Sequence, residues 1–295
     1  MTLQEIILLV LKASIIAFVF GLGLKSKPED ILSLVHRPSL LARTLLSMNV
    51  AMPLFAVALV STLALRPGVA ITLLVLSLSP VPPLMPGKAG RAGGDTSYAV
   101  GMFVIVSLVS IVWVPLAVQM LGSFFGRPLG VPPATMAKIV AILILGPLLL
   151  GMAVRKFAAS LAKRIQPSVS IAADVALVVP AALILFSAWR AILGQIGDGT
   201  AVILAAFVIV GLVVGHLLGG PVPEERTDLA LATALRHPGV ALTVAAVAFP
   251  NEHEVKALVA LYLIVNVLIS LPYVRWRAKH EAERNGTRAK ATDSV

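Results

Sequence analysis

Apolar residues run along this chain in blocks, and polar residues are confined to the short stretches between them. The blocks cover 3–24, 38–65, 68–84 continuing through 93–101, 102–124, 134–155, 168–190, 199–219, 227–249 and 255–274. An uninterrupted block of about 20 residues, rising about 1.5 Å per residue, crosses the roughly 30 Å hydrocarbon core of a bilayer as a helix. Backbone polar groups in lipid must be satisfied within the segment, and no block alternates with the period of two that a membrane barrel requires. The pattern predicts an all-α integral membrane protein of about nine transmembrane helices. The first block contains Lys12 and lacks a small-residue cleavage site, so it is read as a span and not a signal peptide.

Composition agrees. Hydrophobic residues make up 58% of the 295 and charged residues 13%, against about 25% charge in globular domains. The absence of cysteine removes disulfide scaffolds, thiol catalysis and Cys-ligated metal. A net charge of +10 raises nucleic acid as a partner, but the placement of the charges assigns them to topology. Fifteen Lys and Arg fall on one side of the spans: Lys25, Lys27, Arg37, Arg43, Arg155, Lys156, Lys163, Arg164, Arg226 and the six after residue 274. Five fall on the other: Arg66, Arg127, Lys138, Arg190 and Lys256. The positive-inside rule puts the richer set in the cytoplasm, the N-terminus outside, and the protein in the plasma (inner) membrane with lipid as its surroundings and no nucleic acid. Residues 278–295 read as a disordered cytoplasmic basic tail.

Two places inside the membrane are interrupted. Ser79 to Tyr98 contains four prolines and four glycines, which a helix cannot continue through. Leu235-Arg236-His237-Pro238-Gly239 breaks the apolar run from Leu229 to Phe249 and puts a cation at bilayer depth, at a cost of about 2.5–3.5 kcal/mol on insertion scales. Broken backbone is tolerated there only when it is buried in protein or lines a cavity. One interrupted span per half is the pattern of a transporter built from inverted repeats. Spans 6 to 9 repeat the order of spans 1 to 4 (plain, plain, broken, plain), and span 5 has no partner. The predicted units are 1–126 (four spans, third broken) and 127–277 (five spans, fourth broken).

These residues resemble those of the bile acid:sodium symporter family. Gly93-Gly94-Asp95-Thr96-Ser97-Tyr98 stands where the family carries Gly-Gly-x-x-Ser-Asn on its first crossing helix. Ala232-Thr233-Ala234-Leu235-Arg236-His237 stands where its second carries Glu-x-Gly-Met-(Gln/Arg)-Asn, and Met52-Pro53 and Leu65-Arg66-Pro67 also fit. The resemblance implies a core holding both crossing helices and a panel that moves against it. It also implies sodium sites built from the signature Ser and Asn, the Glu and Gln of the second crossing helix, and hydroxyls of the helix after the first. Here Ser97, Tyr98, Ser107, Ser110 and Thr233 are the candidate ion-binding residues. Tyr98 replaces Asn, Ala232 replaces Glu, and His237 replaces Asn, which removes the anionic ligand a hard cation takes.

The candidate substrate-binding residues are Arg236, His237, Gly239, Gly94, Asp95, Ser97 and Asn49. Arg236, beside the helix starts at Pro238-Gly239 and after Gly94, makes an anion-binding locus, or it pairs with Asp95 where the breaks cross. Asp95 is either a proton carrier or the cap of a helix beginning in Gly-Asp-Thr-Ser. His237 relays a proton or is a satisfied structural histidine. Asn49 and Asn266 are polar groups for interhelical hydrogen bonds. His216 sits at a span end, Lys88 and Arg91 attract an anion or belong to the cytoplasmic patch, and Asp174 lies near a helix end. An intramembrane aspartyl protease would need a Gly-x-Gly-Asp context that Ala92-Gly93-Gly94-Asp95 misses by one position, so no enzyme is expected.

The resulting expectation is a secondary active transporter of a small organic anion, working by alternating access. It needs no cofactor beyond a coupling ion: Na+, as the resemblance implies, or H+, as the substitutions suggest. The alternative on the same scaffold is a passive channel or a transport-incompetent sensor.

Overall fold

The computed structural model describes residues 3–124, 134, 137–138, 141–187 and 189–292. In chain order the helices are α1 (Leu3–Lys25), α2 (Pro28–Val35), α3 (Pro38–Thr62), α4 (Pro67–Leu78), α5 (Met85–Arg91) and α6 (Thr96–Phe124). They continue as α7 (Gly146–Phe157), α8 (Ala159–Ser187), α9 (Trp189–Leu193), α10 (Thr200–Leu218), α11 (Pro223–Ala234), α12 (Pro238–Ala248) and α13 (Val255–Thr292). There is no strand among the described residues. Among the described residues, five helical stretches are long and apolar enough to cross a membrane: Pro38–Thr62, Thr96–Ser123, Thr200–Leu218, Pro223–Ala248 and Val255–Arg284. The protein is an integral membrane protein.

Two groups of helices pack most closely within themselves. In one, α1 lies against α7 and α8. Its tightest point is Gly23 against Gly151, where an added Cβ on either would collide with the other helix's backbone. In the other, α10 packs along α11 and against α13, and α12 packs on α4. The stripe Gly211 and Gly215 on α10, continued by Gly219 just past its end, puts backbone against Ala234, Ala230 and Arg226. Small residues at such spacing are how helices associate in lipid, where there is no water to expel and van der Waals contact must do the work.

Prolines shape the helices from within. Pro53 follows a π-helical segment, Leu46–Ala51, inside α3, and Pro147 follows a second one, Ala141–Leu145. A proline ring crowds the turn before it and supplies no N–H, and a widened turn is one way to absorb both.

Two expectations change. The stretch 93–101 does not continue the third span: α6 runs unbroken from Thr96 to Phe124, so 96–101 and 102–124 are one helix. Nothing between Thr96 and Val114 breaks a helix, and Asp95 caps its start. The first interruption is therefore 79–84, between α4 and α5. The tail from residue 278 is helical through Thr292, not disordered. Arg284 pairs with Glu224 of α11 and with Glu281, and Glu281 covers Gly93, so the extension is anchored. The expected unit boundary at 126/127, Arg127 and the start of the fifth span lie outside the described residues, as do the side chains of Lys12 and Asp174.

The glycine stripe gives a paired test. Gly215→Ala forces a Cβ into the backbone of Leu229 and Ala230 and is expected to cost about 1–3 kcal/mol. Gly87, with open space around it, is expected to accept alanine within about 0.5 kcal/mol. Thermal unfolding of the purified protein in detergent compares them.

Candidate functional site

A helical carbonyl bonds the N–H four residues on, and a proline there leaves it unpaired. Three such carbonyls meet where the two interruptions cross. The first belongs to Met48. Within the π-helical segment the Met52 N–H reaches back to the Ser47 carbonyl, so the next carbonyl, that of Met48, faces Pro53, which has no N–H. The second belongs to Ser79, just past the end of α4, whose partners three and four residues on are Pro82 and Pro83. The third belongs to Ala234 at the end of α11, whose partner would be Pro238.

Side chains replace the missing donors. Arg236 Nη1 donates to the Ser79 carbonyl and Nη2 to the Met48 carbonyl, both at 3.3 Å. The Tyr262 hydroxyl donates to the Ala234 carbonyl at 2.8 Å and accepts from the Arg236 backbone N–H at 2.9 Å. Asn266 Nδ2 donates to the same Ala234 carbonyl at 2.9 Å. The two interruptions are joined directly by the His237 N–H donating to the Pro80 carbonyl at 2.9 Å.

Arg236 is 2% exposed, and among the described residues no carboxylate lies within 4.0 Å of its guanidinium. An ion removed from water without compensation costs several kcal/mol. Here the compensation is neutral: two carbonyls, one of them at the negative end of α4. Arg236 Nε has no partner. His237 is equally buried; its Nδ1 accepts from the Val240 N–H at the start of α12 and its Nε2 is unpartnered. Gly239 lies against the His237 ring and Ile15 of α1. Asn49 is half-buried beside Met48 on the π-helical segment. A cavity of about 300 Å³ runs between α3, α4, α6 and α12, lined by Val60, Leu74, Leu78, Leu121, Val244 and Phe249 among others. It reaches Leu78, the residue before the Ser79 carbonyl.

The remaining candidates have other partners. Asp95 caps α6, its Oδ1 accepting from the Ser97 and Tyr98 N–H groups; it does not pair with Arg236. Ser97 Oγ donates to Asp30 of α2 at 2.7 Å, and the Tyr98 hydroxyl shares a hydrogen bond with Thr44. Thr233 and Ser47 share one at 3.1 Å, close to the crossing. Ser107 and Ser110 bond carbonyls of their own helix. Lys88 donates to Ser270, and His216 bonds Tyr273.

Asp228 is a residue that sequence reasoning passed over. It is fully buried on α11, with Oδ2 accepting from the Asp95 N–H at 2.8 Å and Oδ1 unpartnered against Gly94, where any Cβ would collide with it. A carboxylate one residue before the apolar run was the available signal. Met48 and Ser79 were also missed, because they act through carbonyls that every residue carries.

The model of the sodium bile acid symporter family matches residues 13–195. That is more than half of the chain, and the chain belongs to this family. It is a family of transporters, not enzymes. The match includes the first interruption and stops before Arg236. Among curated proteins, none matches the chain.

Tyr262→Phe is expected to cost about 1–3 kcal/mol, because the buried Arg236 N–H is left without an acceptor while the Ala234 carbonyl keeps Asn266. A melting shift in detergent-purified protein measures it, and an unchanged midpoint contradicts the role given to the hydroxyl.

Proposed function

We propose that this protein is a secondary carrier that moves a small organic anion across the membrane by alternating access. The observation that carries this reading is the crossing: two interrupted helices hydrogen-bonded to each other around a fully buried cation that has no carboxylate beside it among the described residues. Unwound backbone at such depth belongs to a working site, since a structural helix would have no use for it. One edge of the guanidinium holds backbone carbonyls. Its other edge, Nε, and the nearby His237 Nε2 are the donors left for the substrate's anionic group. The apolar cavity beside Leu78 suits a hydrophobic body attached to that group.

In this reading the chain crosses nine times, counting α4 with α5 and α11 with α12 as single interrupted spans. The crossings form two inverted repeats, and the layer of α1, α7 and α8 moves against the remainder. The protein sits in the plasma membrane with the basic ends of its helices inside. Gly94 and Asp95 join the site through Asp228, midway along α11, and Ser97 through its N–H to the Asp95 carboxylate, none of them through Arg236.

The test is uptake of radiolabelled carboxylates (a bile acid, a steroid conjugate and a keto acid) into vesicles containing the reconstituted protein. Uptake of at least one that saturates with concentration supports the carrier. Arg236→Ala, checked for correct insertion, is expected to lower it about ten-fold or more, the loss of roughly one charged hydrogen bond in binding. Unaltered uptake removes Arg236 from the site, and non-saturating flux contradicts alternating access.

A further inference from the structure

The geometry points to Arg236 as a resident cation: its guanidinium fills a seat for a monovalent cation at the helix crossing, so that the crossing closes without sodium. The inference deepens the carrier reading by assigning its ion dependence, and rests on that reading only for what it says of transport.

The seat is defined by what the prolines leave open. Met48 and Ser79 come from different helices, and each presents a carbonyl whose helical partner is a proline. Freed carbonyls at the ends of unwound half-helices are the groups that coordinate alkali cations inside transporters. The positive charge found between them is covalently attached. Arg236 reaches both carbonyls at 3.3 Å while its own backbone N–H is fixed by Tyr262 and the next residue's N–H by Pro80. The head group is therefore held at both ends and is not a mobile side chain that happens to rest there.

The surrounding ligands are neutral. Ala232 on α11 offers no oxygen beyond its backbone, and the nearby hydroxyls of Ser47 and Thr233 bond each other. A sodium ion in the same seat would lie within about 4 Å of the guanidinium, with no carboxylate among the described residues to offset the repulsion, which weakens its binding roughly a thousand-fold. Removing the guanidinium removes that repulsion and leaves two inward-facing carbonyls without donors. Arg236→Ala should therefore convert an occupied seat into one that a free cation can enter.

The experiment uses the full-length purified protein in detergent, without substrate, and reads the melting midpoint in NaCl, KCl and choline chloride at equal ionic strength. The wild type is expected to melt at one temperature in all three. Arg236→Ala is expected to melt about 5 °C or more lower in choline chloride, with the loss recovered saturably by NaCl or by millimolar guanidinium. Arg236→Lys, which keeps a cation, should remain indifferent to sodium, and a lysine variant that sodium stabilises overturns the proposal even where the alanine variant does not fold. Sodium-specific stabilisation of the wild type overturns the proposal. So does an alanine variant that melts with the wild type in choline chloride, or one whose loss neither cation restores. Because no substrate is present, failure here leaves the uptake result standing, and absent uptake leaves the occupied seat standing.

Discussion

A proline in a membrane helix leaves a carbonyl that lipid cannot satisfy, and this chain places several of them around one point. Pro53, Pro82 with Pro83, and Pro238 each silence the donor that a carbonyl of α3, α4 or α11 would have used. The unpaired carbonyls of Met48, Ser79 and Ala234 then require donors from elsewhere, and Arg236, Tyr262 and Asn266 provide them. Leaving one such group buried and unpaired costs about 1–3 kcal/mol. The donors are thus not decoration on a finished bundle. They fix which half-helices meet, and they explain how a guanidinium is held where, among the described residues, no carboxylate lies beside it.

The rest of the described bundle serves that meeting. Glycines on α10 let α11 approach to backbone contact, which sets the depth at which Ala234 and Arg236 emerge. At the start of α11, Arg37 pairs with Glu225, Arg277 donates to Thr227 and to the Pro223 carbonyl, and Arg284 pairs with Glu224. These contacts anchor the helix at the end away from the crossing. Asp228 sits between the two regions, gripping the cap of α6. Charge is therefore segregated along α11: Glu224 and Glu225 with basic partners at its start, and Arg236 among carbonyls just past its end.

Much of this was legible in the chain. Apolar run length marked the all-helical membrane architecture, with five helices long and apolar enough to cross among the described residues, and the density of Pro and Gly marked both interruptions, because those residues act through their own backbone. The first interruption was drawn too long. Gly93-Gly94 looks like further breakage, but Asp95 restarts a helix immediately, and the sequence-level cap signal at Asp95 was the correct one to follow. The polar tail was read as disordered because its composition is solvating, yet Glu281 and Arg284 tie it to Gly93 and Glu224, contacts between residues far apart in the chain. The partner of Arg236 was unreadable for a deeper reason. Sequence names side chains, so Asp95 was the visible candidate, whereas the groups that receive the guanidinium are main-chain carbonyls distinguished only by prolines four or five positions downstream.

The contact between the interruptions holds the site together, and the absence of cysteine in the chain allows it to be measured in native membranes. Cysteines introduced together at Pro80 and His237 place two thiols on residues whose backbones are hydrogen-bonded to each other. A mild oxidant is expected to join them, leaving proteolytically nicked halves linked until reduced. No link at Pro80 and His237, while a control pair at Ser47 and Thr233 does form one, would mean that the interrupted helices do not meet.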